Sequence, residues 1–137
     1  MARPALETAA AILCAALAIG AVAFVAKQGD ESSRRRIDTA AALTGGDPSR
    51  GAAYIEREGC GACHEIPGIP GAHGRVGPSL EGVGVRVFLA GVVPNTPDNL
   101  VHWIRAPREL SPRTAMPNLG LDDGAARDIA AFLYAGS

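Results

Sequence analysis

At 137 residues, 47% of them apolar, the chain is long enough for one small domain and an appendage. Its formal net charge of −1 is neutral as to partners, and nothing in it points to nucleic acid. Three Phe, two Tyr and one Trp are sparse for a sheet protein, and the Ala-rich periodic segments predict an all-α fold.

The first predicted element is a helix over Thr8 to Ala26, nineteen uncharged residues. At 1.5 Å per residue it measures about 28 Å, against a hydrocarbon core of about 30 Å. Residues 1–26 therefore read as a signal anchor or transmembrane helix. A cleaved secretory signal ending at Ala21-Val22-Ala23 is the alternative, and either one exports the rest of the chain. Cys14 within it is a small apolar packing residue. The positive-inside rule pulls the other way, because Lys27 and Arg34-Arg35-Arg36 lie after the segment while only Arg3 precedes it. Residues 27–46 read as a linker that, if wholly flexible, would span roughly 25 Å, and that a short helix around Ile37 to Leu43 would shorten. The arginine run is a solvated cluster or a contact for anionic headgroups.

A domain over 47–137 opens with Asp47 as N-cap and Pro48 in the first helical position, and this helix should end near Glu58-Gly59. Next comes Cys60-Gly61-Ala62-Cys63-His64, the attachment signature of a covalent c-type haem. Each thiol can form a thioether to a haem vinyl group, and the imidazole falls beside the iron. Zinc is a rival, but it wants four ligands and the only other cysteine is Cys14. A dithiol redox motif is another, but it belongs beside a strand–helix–strand pattern, and the flanks here are rich in Gly and Pro. A further helix is expected over Thr96 to Ala106 and carries Trp103, whose indole N–H needs a partner if buried. Met116 is the one methionine besides Met1, and it sits between Pro112 and Pro117 where no regular helix can form. Such a rigid loop suits a soft sulfur held on iron, so Met116 is the candidate second axial ligand, with His73 and His102 as rivals. A last helix should start at Asp122 or Asp123 and run to Tyr134, with Ile129, Phe132 and Leu133 on its core face.

These residues resemble the class I c-type cytochromes. The closer likeness is to membrane-anchored monohaem cytochromes c and to the cytochrome c domain of haem-copper oxidase subunit II. Gly59 to His64, Val76-Gly77-Pro78-Ser79-Leu80, Val93 to Ile104 and Met116-Pro117 carry it, across roughly residues 47 to 137. No copper-binding oxidase domain precedes these stretches in the sequence. The resemblance implies a small monohaem cytochrome c fold, with N- and C-terminal helices crossing closely at Gly51. It implies one covalent haem c on Cys60 and Cys63, ligated by His64 and Met116. It also implies that the Pro78 carbonyl accepts the Nδ1 proton of His64, and that Trp103 and Arg86 neighbour the haem propionates. Arg105, Arg108 and Arg113 would steer docking or simply be solvated.

The implied protein is a one-electron carrier and no enzyme, with neither a small-molecule substrate nor nucleic acid as partner. It would pass electrons from a quinol-oxidising complex or a dehydrogenase to a terminal haem-copper oxidase. It would be a single-pass protein of the bacterial inner membrane, held by residues 8–26, with its haem domain in the periplasm. The alternatives are a cytochrome c subunit of a membrane dehydrogenase, or a haem peroxidase or gas sensor if Met116 is not a ligand.

Overall fold

A computed structural model describes residues 3–136. Met1 and Ala2 of the expected anchor, and Ser137 of the expected domain, lie outside the described residues. Helix α1 spans Arg3–Thr44 and is long and apolar enough to cross a membrane. It continues through most of the 27–46 segment, so the helix there is longer than the short one around Ile37 to Leu43. The reason is local. Polar residues do not break a helix, and between Asp30 and Thr44 there is neither Gly nor Pro, while Lys27 and Glu31 pair at 4.0 Å one turn apart. The helix stops where Gly45 adopts φ +71°, a left-handed conformation that costs glycine little.

Contacts divide the chain into two units between Arg34 and Arg35. In the first, the large apolar side chains face outward, with Ile12 70% and Phe24 62% exposed. Such exposure is costly in water and natural in lipid.

The second unit holds the last turns of α1, then α2 (Pro48–Arg57), α3 (Pro97–Arg105), α4 (Pro107–Leu110) and α5 (Asp123–Ala135). The predicted helix starts are where the capping chemistry placed them. Asp47 accepts from the Ser49 N–H, Thr96 from Asn99 and Asp122 from Ala125. The core lies where α2 and α3 pack on α5, through Ile55, Leu100, Val101, Ile104, Ile129 and Leu133. Gly51 allows the α2–α5 crossing, since a Cβ there would overlap the Asp128 backbone. Beside it, Arg50 donates to buried Asp128 through Nε at 2.7 Å and Nη2 at 2.9 Å, and the Asp47 N–H donates to the same carboxylate.

The one departure from an all-helical unit among the described residues is a small hairpin. Strands β1 (Phe88–Leu89) and β2 (Val93–Pro94) pair antiparallel, Phe88 opposite Pro94 and Leu89 opposite Val93. The turn runs through Ala90 and Gly91, both with positive φ, between valine-rich flanks that favour extended backbone.

Candidate functional site

α2 ends in Gly59 at φ +68°, and the chain enters a single 3-10 turn over Cys60–Ala62. The His64 N–H closes it on the Cys60 carbonyl at 3.0 Å. Cys60, Cys63 and His64 thereby line one cavity of about 350 Å³. Pro78, Arg86, Trp103 and Met116 line it too, so all seven residues singled out from the sequence converge there. Most of the remaining lining is aliphatic, drawn from α2, α3, α5 and the loops between them. Both thiols are free, Cys60 half-buried and Cys63 exposed. Burial pushes the Cys60 thiol above its ordinary pKa.

The His64 imidazole is held tightly. Its Nδ1 lies 2.7 Å from the Pro78 carbonyl oxygen. A carbonyl only accepts, so Nδ1 carries the proton and Nε2 presents its lone pair. The ring also packs flat on Gly77, where a Cβ would lie 2.7 Å from Nδ1 and closer still to the neighbouring carbon. Gly77 N–H donates to the Cys63 carbonyl at 2.8 Å and Leu80 N–H to the Glu65 carbonyl at 2.8 Å, which pins residues 77–80 against the pentapeptide.

Met116 arrives on the irregular segment between α4 and α5. It is half-buried, and its N–H is satisfied by the Thr114 hydroxyl at 3.2 Å. Trp103 is half-buried on α3 and packs against the core. Arg86 lines the cavity and is bonded to its own loop. Its Nη2 donates to the carbonyls of Ser79 at 2.5 Å and Glu81 at 2.9 Å, so the side chain clasps its own loop.

The rival ligands are elsewhere. His73 is exposed and bridges Glu65 through its backbone, His102 meets Glu109 at 2.7 Å, and neither lines the cavity. Arg105, Arg108 and Arg113 are exposed and also lie off its wall, Arg105 beside Asp123 at 3.3 Å. Among the described residues no three His, Cys, Asp or Glu side chains gather as a metal site, so a closed four-ligand zinc centre has no ligand set. Sequence reasoning passed over Asn95 as a site residue. Its Nδ2 donates to the carbonyls of Val83 at 2.7 Å and Arg86 at 2.9 Å, and its Oδ1 accepts from the Tyr134 hydroxyl at 3.3 Å. The only signal for it was its place before the Thr96 cap, in a run already read for other reasons.

Chemically the cavity offers one imidazole nitrogen, one thioether sulfur and two thiols in an apolar setting. No family model and no solved structure matches the chain. Over 69 residues it is 33% identical to the cytochrome c oxidase subunit 2 of Alkalihalophilus pseudofirmus, a stretch that is 50% of this chain and 19% of that protein. The chain thus spans about a fifth of the relative it matches, which makes the relationship a distant, oxidase-related one.

Proposed function

We propose that the protein is a membrane-anchored one-electron carrier bearing a single covalent haem c, in a cytochrome c fold, and that it delivers electrons to a terminal haem-copper oxidase. The observation that carries this reading is the shared cavity. A Cys60/Cys63/His64 turn, with its imidazole already oriented by the Pro78 carbonyl, opens onto the same apolar space as Met116.

The residues fit the group. Cys60 and Cys63 are free thiols at the spacing that attachment requires, and His64 has the tautomer that leaves Nε2 for iron. Haem supplies, when bound, a one-electron couple between Fe(II) and Fe(III). The Pro78 carbonyl raises the donor strength of His64, and the Met116 sulfur favours the less charged iron. Aliphatic side chains such as Ile55, Leu100 and Ile129 exclude water from the cavity and so, like the Met116 sulfur, favour the less charged iron, against the pull of the Pro78 carbonyl. His64 and Met116 would both hold the iron, which would leave it to pass electrons without binding a reactant, and the reading is accordingly of a carrier and not of an enzyme. The similarity to an oxidase subunit and the membrane-length α1 support a respiratory setting, which on this reading is a bacterial inner membrane with the haem domain in the periplasm.

The test is to express the full chain in a host that matures c-type cytochromes and purify it from membranes. Haem should stay with the polypeptide through acidified organic extraction, and oxidase-containing membranes should reoxidise the reduced protein. Colourless protein, or haem that extracts freely, would overturn the proposal.

A further inference from the structure

The Pro78 carbonyl that orients His64 shares a rigid peptide plane with the Ser79 N–H, so its direction turns with the Ser79 backbone and with the next peptide, between Ser79 and Leu80. That peptide is held at both ends, the Leu80 N–H on the Glu65 carbonyl and the Ser79 carbonyl on Arg86 Nη2. Arg86 is itself fixed through its backbone, because its carbonyl accepts from Asn95 Nδ2, which also donates to the Val83 carbonyl. The Asn95 backbone is tied to the Val87 carbonyl at 2.9 Å, and its Oδ1 receives the Tyr134 hydroxyl of α5. The links form a continuous series from α5 to the imidazole.

We propose that Arg86 and Asn95 are positioning residues for His64, acting through the Ser79 and Pro78 carbonyls. Arg86 serves this end as a clamp on the loop. The guanidinium suits the task because one nitrogen can bridge two carbonyls, here those of Ser79 and Glu81, in a fixed plane. Asn95 suits it because its amide donates twice and accepts once, and all three capacities are used. When Asn95 loses its donors, two carbonyls of the cavity wall lose their partners. The 79–86 loop then loosens, and the Pro78 carbonyl drifts from Nδ1.

The inference deepens the carrier reading and rests on it for one readout, the potential. The full, haem-loaded chain is compared with Asn95→Leu, Arg86→Met, Arg86→Lys and the milder Tyr134→Phe. Exchange of the His64 Nδ1 proton, measured by NMR, should accelerate about tenfold or more in Asn95→Leu and Arg86→Met. Tyr134→Phe should show a smaller effect, and Arg86→Lys should partly restore the slow exchange. The midpoint potential of Asn95→Leu, where no charge changes, should rise by the equivalent of about threefold to tenfold in the oxidised-to-reduced ratio, ~30–60 mV. Variants that melt earlier yet keep the parent's Nδ1 exchange and potential would overturn the inference and leave these residues merely structural. A chain that never retains haem would end the carrier reading alone. The tautomer of His64, read from its nitrogen shifts in that haem-free chain, then decides. A parent held in the Nδ1–H form and released in Asn95→Leu supports the positioning role, and no difference refutes it.

Discussion

His64 and Met116 reach one cavity from segments held in different ways. Residues 60–80 are cross-linked to themselves, with Gly74 N–H on the Gly61 carbonyl, Gly77 on Cys63, Leu80 on Glu65, and the imidazole on Pro78. Residues 111–121 make only short-range bonds among the described residues, Ser111 to Pro107, Thr114 to Ser111 and Met116 to the Thr114 hydroxyl, and otherwise rest on the packing of Leu121. The imidazole is thus placed by the protein's own hydrogen bonds, and the thioether is held by far fewer. Such a division concentrates order where a tautomer must be chosen, and leaves slack where a soft, rotatable sulfur can find its own distance.

The strongest test falls on the rigid side. Gly77→Ala puts a methyl group into the His64 ring, which must move and give up its carbonyl. We expect a loss of about 3 kcal/mol, the sum of overpacking and a broken hydrogen bond, read as a large drop in the thermal midpoint. A wild-type midpoint would show that residues 77–80 yield easily, and the comparison would fail.

Next in size is the link that both segments share, since one comes directly after α2 and the other precedes α5. Hydrogen bonding from Arg50, aided by the Asp47 N–H, holds the Asp128 carboxyl below its ordinary pKa. Its contribution is therefore complete above the unfolded value of about 3.9 and is lost as pH falls through the lower, folded value. Asp128→Asn should cost about 1–2 kcal/mol, kept small because Arg50 is largely exposed to screening water, and should flatten the acid limb of stability against pH. Hydrogen exchange should quicken in both segments alike. An effect confined to one of them would show that α2 and α5 do not act as a common base.

How far these features were legible in the sequence depends on their range. The helix starts at Asp47, at Thr96 and at Asp122 or Asp123 are matters of neighbouring residues, and the structure has caps at Asp47, Thr96 and Asp122; the Pro78 carbonyl on His64, 14 positions away, was implied only by the family resemblance. Arg50 and Asp128 are 78 positions apart, and nothing local couples them. Arg86 lines the cavity, but its bonds to the Ser79 and Glu81 carbonyls had no signal, because a guanidinium's charge is visible in a sequence and the carbonyls it will meet are not. The 27–46 segment misled for another reason. Polarity reports exposure, and a stretch with neither Gly nor Pro between Asp30 and Thr44 stays helical until Gly45.

A smaller effect belongs to the slack side. Gly120 has φ +70° but an added Cβ would meet nothing within 4 Å, so Gly120→Ala carries conformational strain without a clash. About 1 kcal/mol is expected, well below Gly77→Ala. Equal losses at the two glycines, measured in the same denaturant titration, would abolish the contrast between the segments.

The smallest change in stability should come from Met116→Leu, and it separates the two explanations of how the loop is held. Leucine nearly conserves the volume, so packing alone predicts a cost of under about 1.5 kcal/mol and undisturbed exchange at residues 111–121. If the sulfur's bond to iron is the source of order in the segment, the haem-loaded variant should lose the long-wavelength band of sulfur-ligated ferric haem. Amides of 115–121 should then exchange faster, while those of Gly74, Gly77 and Leu80 keep their parent rates, because their carbonyl partners are untouched. A variant that loses the band and keeps slow exchange throughout would mean that Leu119 and Leu121 suffice to hold the loop, and that the methionine side is as preformed as the histidine side.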